Sequence, residues 1–235
     1  VIIPIVVLFL FFMSVGPQAR WIKNKFYNLN LFFRILIGSI FINFCIVYLF
    51  KGYSLLSNFI IISAVFLVIS SLIDLFKSYK NLSMDSPRVI SHLAFGFLIF
   101  FIGINYNFSL EKDFNLKLGE KKNFENYSVE FKDLRLKDFK NYKAIIGEFK
   151  INNMKENVNQ SLYPEIRIYE NPSTITYETS IRSGILKDYY ITMSNIDRSD
   201  YYNIKFQKKP FMMWIWVSVI FISLGGFLRL YKNAK

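Results

Sequence analysis

One side chain in this sequence stands where chemistry is costly to place. His92, the single histidine of the chain, lies inside the apolar run Val89 to Ile104. An ionisable group within such a stretch marks a site by default. At about 100° per residue, Gly96 falls roughly 40° from His92 around a helix, and Ile99 and Gly103 each fall within about 20°. One face therefore reads His, Gly, Ile, Gly. An imidazole there can ligate a flat metal macrocycle, since glycine one turn above leaves room beside the ligating ring. The same spacing lets another helix approach closely at the small residues while the histidine donates one interhelical hydrogen bond. Composition and spacing leave both readings open.

Other reactive groups point to structure. Cys45 is the one cysteine and sits in an apolar run, so it reads as a small buried hydrophobe, with no disulfide framework and no Cys-x-x-Cys pair. Arg34 and Asp74 fall near the ends of apolar runs, where snorkelling or a mutual ion pair accounts for them. A Ser-His-Asp arrangement would need a histidine outside the apolar runs, and the sequence has none. There is no Gly-rich phosphate loop, EF-hand or His-x-x-x-His. Trp214 and Trp216, with Trp21, suit an aromatic belt at a membrane surface.

The elements that must position His92 follow from how the apolar residues are distributed. Hydrophobic residues make up 53% of 235, yet Lys and Arg number 29 against 17 Asp and Glu, so apolar and charged residues must be segregated. Five apolar runs stand out: Val1 to Val15, Leu31 to Phe50, Leu55 to Phe76, Val89 to Ile104 and Phe211 to Leu230. Each is helix-like in length and bounded by Gly, Pro or charge. The first is shorter than the roughly 20 residues that span a bilayer and lacks signal-peptide features, so the chain reads as a fragment beginning inside a helix. Before His92, Ser86 suits an N-cap and Pro87 the first helical position.

The polar block from Tyr106 to Lys209 carries 18 Lys and Arg and 15 Asp and Glu, a net +3 of the total +12. The other +9 lies in or beside the apolar runs, as membrane-orientation signals do, and a nucleic-acid footprint is not indicated. Arg20, Lys23 and Lys25, then Lys77, Lys80 and Arg88, then Arg229, Lys232 and Lys235 all fall on one side of five crossings. The positive-inside rule makes that side the cytoplasm and puts the polar block outside. Within it, Tyr127 to Leu136, Ala144 to Ile151, Glu165 to Tyr169 and Asp188 to Met193 alternate with period two, which predicts a small antiparallel sandwich or barrel. Asn152 to Gln160 reads as a solvated loop. The expected architecture is a membrane α-helical bundle with one small antiparallel β-rich extracytoplasmic domain. Four helices cover 1–105, the β-rich domain 106–209, and a last helix with a cytoplasmic tail 210–235.

Several segments taken together resemble the C-terminal part of the CcmF/NrfE family of cytochrome c haem lyases. They are Gly16 to Trp21, Ser91 to Gly96 with Gly103 and Ile104, Pro164 to Tyr169, Thr176 to Arg182, Asp188 to Tyr190, Lys209 to Phe211, Trp214 to Trp216, and Gly225 with Gly226. Tyr177 departs from the family's small polar residue, and Glu111 to Gln160 matches little. The resemblance implies a subunit that helps attach haem to the Cys-x-x-Cys-His motif of apocytochrome c at the outer face of a membrane. It implies that His92 is an axial ligand of a haem b, the second ligand lying outside this sequence. It further implies a bacterial inner membrane, or its mitochondrial equivalent, with 106–209 periplasmic. The implied partners are apocytochrome c, a haem-delivery chaperone, other maturation subunits and membrane lipid. No catalytic residue is assigned, because the family's haem-handling segment precedes Val1. A transporter segment or a non-catalytic assembly subunit are the alternatives; the first would need polar residues spread through several helices.

Overall fold

Long runs of Leu, Ile, Phe and Val leave no polar side chain to compete with the backbone, and only a helix satisfies every peptide group within the run. The computed structural model describes residues 2–15, 29–50, 55–81, 86–154, 158–196 and 199–233. Among them are helices α1 (Ile2–Val15), α2 (Leu29–Phe50), α3 (Leu55–Asn81), α4 (Ser86–Phe108) and α5 (Met212–Asn233). Four of these, α2 to α5, are long and apolar enough to cross a membrane; the apolar part of α1, Pro4–Ser14, is shorter. Helix α4 starts at Ser86, one residue before the position expected for Pro87, and Pro87 lies in its first turn. The segments 16–28, 51–54 and 82–85, with Arg20, Trp21, Lys23 and Lys25, lie outside the described residues.

Two compact units form: residues 1–108 with 210–235, and residues 109–209. In the helical unit a small apolar cluster of Ile61, Val65 and Ile104 joins α3 to α4. Phe11 and Phe32 both pack on Phe66 of α3, at ring centroid distances of 5.0 and 5.2 Å. Serine hydroxyls turn inward onto their own helices. Ser14 donates to the Leu10 carbonyl, Ser39 to that of Ile35 and Ser218 to that of Trp214, at 2.8 to 2.9 Å. In an apolar medium this satisfies the hydroxyl without a second helix.

The second unit is built from β1 (Leu110–Leu116), β2 (Lys121–Phe124), β3 (Tyr127–Asp138), β4 (Tyr142–Asn153), β5 (Val158–Leu162), β6 (Glu165–Glu170), β7 (Ser173–Glu178), β8 (Ser180–Arg182), β9 (Lys187–Asn195) and β10 (Tyr202–Pro210). They form a sandwich of two sheets, with orders β1-β10-β9-β8 and β2-β3-β4-β6-β7, and β5 pairs with β4. The inward faces of the alternating strands meet in one core, where Phe131 stacks on Phe149 at 4.4 Å and Ile191, Ile204 and Phe206 are fully buried. Gly147 on β4 allows the two sheets to close: a Cβ there would stand 2.9 Å from the Met193 sulfur of β9.

The four period-two segments lie within β3, β4, β6 and β9. The expected loop Asn152 to Gln160 is partly strand. Its first residues belong to β4 and its last to β5, with Asn152 opposite Asn159 and Ile151 opposite Gln160. Backbone pairing to the end of β4 satisfies its peptide groups, so polar side chains need no core to hold the strand in place.

Candidate functional site

His92 lies six residues into α4 and is half-buried. Its electrostatic neighbours are Arg88, one turn earlier on the same helix, and Asp74 of α3. Asp74 is half-buried and Arg34, near the start of α2, is exposed. Among the described residues no three His, Cys, Asp or Glu side chains gather as a metal site. Any ligation by His92 would therefore be that of one imidazole.

The glycines on its face have a definite job. A Cβ on Gly96 would come 2.8 Å from Val68 Cγ2 and 3.3 Å from the Val68 backbone nitrogen; on Gly103 it would come 2.9 Å from Ile61 Cγ1. Helix α3 thus fills both notches, and the space that the sequence offered beside His92 at Gly96 is taken by Val68. Small residues at helix crossings let the backbones approach in this way. Opposite them around α4, Gly225 of α5 meets the Pro87 carbonyl oxygen, 3.0 Å from where its Cβ would be, and Ser91. The donor chemistry still suits a haem iron, which accepts a neutral imidazole as one of two axial ligands.

A groove of about 440 Å³ runs along the other face of α4, between Leu93, Phe97 and Phe101 and the α5 residues Trp214, Ser218 and Phe221. His92 does not line it. The Ser218 hydroxyl is committed to the Trp214 carbonyl, so the groove offers apolar surface and no reacting group. Trp214 packs on Phe101 at 5.9 Å, while Trp216 is exposed. Sequence reasoning missed this groove, because its lining is spread over two helices more than a hundred residues apart.

Residues 107–210 match the family model described as the CcmF C-terminal beta-sandwich, the stretch that forms the two-sheet unit. The chain is 24% identical over 241 residues to the cytochrome c-type biogenesis protein CcmF of Haemophilus influenzae, an alignment covering 96% of the chain and 37% of that relative. To the protein of the same name in Escherichia coli it is 23% identical, covering 95% of the chain and 35% of the relative. The solved structure titled Cytochrome c Heme Lyase CcmF superposes with a TM-score of 0.74 at 18% identity, over 95% of this chain and 38% of that one. Residues 107–210 thus match the CcmF C-terminal beta-sandwich, and nearly the whole chain is similar to CcmF proteins. The chain spans little more than a third of the length of the relatives it matches.

The segments that resemble the CcmF family fall on structural joints. Arg167 of β6 pairs with Glu165 at 2.9 Å and Glu178 at 3.8 Å, and stands over the Tyr142 ring; the hydrogen bond to Glu165 above all holds its guanidinium in the charged form. Asp188, buried at the start of β9, accepts from the Gly184 backbone and from the Tyr190 hydroxyl. Burial and then the Asp188 charge push the Tyr190 phenol above its ordinary pKa. Pro210 offers its carbonyl to Asn105 Nδ2 at 2.6 Å where β10 gives way to α5. Gly16 to Trp21 lies outside the described residues. The match over 107–210 includes Glu111 to Gln160, where no family motif was legible in the sequence.

Proposed function

We propose that this chain acts in c-type cytochrome biogenesis as the C-terminal part of a haem lyase of the CcmF family. The observation that carries the reading is the position of the chain's single imidazole, His92, on a membrane-length helix within Ser91 to Gly96, the segment that resembles the family. His92 would hold a haem b in the membrane through its imidazole, together with a second ligand from outside these residues. Bound there, a haem supplies one-electron redox chemistry at a potential tuned by its ligands. The protein contributes ligation, an apolar surround that excludes water, and Asp74 and Arg88 as charges beside the imidazole.

In this reading residues 106–209 are periplasmic, in a bacterial inner membrane, and 231–235 are cytoplasmic. The protein meets apocytochrome c, a haem-delivery chaperone and other maturation subunits there. Similarity to CcmF proteins and the basic segments flanking the helices support that arrangement.

The close packing of α3 into Gly96 favours one competing reading, in which His92 only braces the bundle. His92→Ala in the full-length protein separates the two. Loss of a ligand lowers haem b content and cytochrome c maturation together and shifts the absorption spectrum of any haem that remains. Loss of one interhelical hydrogen bond costs about 0.6 to 2 kcal/mol, which lowers yield and leaves the spectrum in place. Wild-type haem content per protein with an unshifted spectrum overturns the ligand assignment.

A further inference from the structure

The turn between β8 and β9 carries two adjacent apolar side chains into the open: Ile185 is 64% exposed and Leu186 61%, and Ile181 just before them on β8 is 55% exposed. Solvated turns are built from polar residues, so two exposed apolar side chains at a tip are unusual in water. The turn is also held in shape. Its Gly184 N–H donates to Asp188 Oδ1 at 3.0 Å, and the Tyr190 hydroxyl holds Asp188 Oδ2. A Cβ at Gly184 would stand 2.7 Å from the Lys187 carbonyl oxygen, so the tight bend needs glycine. A tip fixed in advance loses little freedom when it binds.

Its place in the sheet says what it meets. Strand β1 begins two residues after α4 ends, β10 runs into α5, and the two pair with Leu110 opposite Lys208. The chain therefore enters and leaves this sheet at one end. Strand β9 lies beside β10, and Lys209 Nζ stands 5.1 Å from the Tyr190 ring, which puts the start of β9 and the turn before it at that same end. Arg182 and Lys187 flank the tip, and Lys208 and Lys209 lie on the neighbouring strand end. Apolar tips ringed by cations fit the boundary between acyl chains and anionic headgroups.

We propose that Ile185 and Leu186 dip into the bilayer interface and tether the β-sandwich to an anionic lipid surface. The test uses the full chain with Cys45→Ser and Leu186→Cys, labelled with a polarity-sensitive fluorophore, in vesicles of phosphatidylcholine and phosphatidylglycerol. Asp200→Cys, at the opposite end of β10, is the reference, and Ile185→Cys serves if the Leu186 variant fails to fold. The label at the tip is expected to emit further to the blue than at Asp200, to be quenched by lipid-borne nitroxide and to be shielded from aqueous iodide. Equal iodide quenching at the two positions overturns the proposal. So does a tip label shielded from both quenchers, which would mean that protein covers it.

Discussion

At Gly96 the distances separate two roles that one glycine can play beside a histidine. An added methyl group would press on the end of the Val68 side chain at 2.8 Å, and the Val68 backbone nitrogen at 3.3 Å limits how far α3 can yield. Overpacking of this kind costs about 1 to 3 kcal/mol, so Gly96→Ala should lower the thermal midpoint of the detergent-solubilised protein. Val68→Ala removes the clashing methyl groups. The double variant Gly96→Ala/Val68→Ala should therefore recover most of the loss, a coupling that thermal unfolding of the four proteins of the cycle would reveal. If Gly96 instead leaves room for a ligand of His92, Val68→Ala gives no recovery, and haem content falls in both variants that carry Gly96→Ala.

At the level of elements, the first strand is tied to the last by side chains as well as by its ladder. Glu111 of β1 faces Gln207 of β10, accepts from its amide at 2.9 Å, and pairs with the Lys205 ammonium. The hydrogen bond from Lys205 holds the Glu111 carboxyl below its ordinary pKa. A carboxyl lowered in the folded state adds stability above its unfolded pKa and loses it as the pH falls through the lower folded value. Glu111→Gln should thus lower the thermal midpoint slightly at neutral pH, the pair being exposed, and the difference should shrink and vanish as the pH falls below the ordinary carboxylate range. A gap between wild type and variant that widens in acid would contradict this account. These two strands were not foreseen from the sequence, whereas β3, β4, β6 and β9 were. Strand β1 alternates poorly, since Lys112 stands between Leu110 and Phe114 where an inward residue belongs, and β10 runs into a lysine pair and a proline before α5. Short edge strands such as β7 and β8 keep exposed apolar residues and so show no buried face to read. In the helical unit the periodicity identified His92 and both glycines on one face. It could not say that Val68 and Ile61 fill the glycine notches, because that depends on which neighbour packs there.

For the molecule as a whole, chain order and charge constrain orientation independently of any packing. The β unit is one uninterrupted insertion between α4 and α5, so the end of α4 and the start of α5 must face the same side of the membrane. If each helix crosses once, the stretches 16–28 and 77–88 and the tail after α5 all face the other side. Those stretches hold Arg20, Lys23, Lys25, Lys77, Lys80, Arg88 and Lys232, whereas residues 106–209 contribute only +3 of the net +12. Basic residues in short loops are retained on the cytoplasmic side, and long domains translocate largely regardless of their charge, so the proposed reading puts the sandwich outside. Helix α1 has a shorter apolar stretch, Pro4–Ser14, than the other four. It does not alter the placement of Lys80, which depends only on α4 and the strand that follows it. With Cys45→Ser as background, single cysteines at Lys80 and Lys121 should therefore react with a membrane-impermeant maleimide from opposite faces. In sealed cells Lys121→Cys should label and Lys80→Cys should label only after permeabilisation. Labelling of both positions in sealed cells would mean that α4 does not cross, and the assignment of His92 to the membrane interior would fall with it.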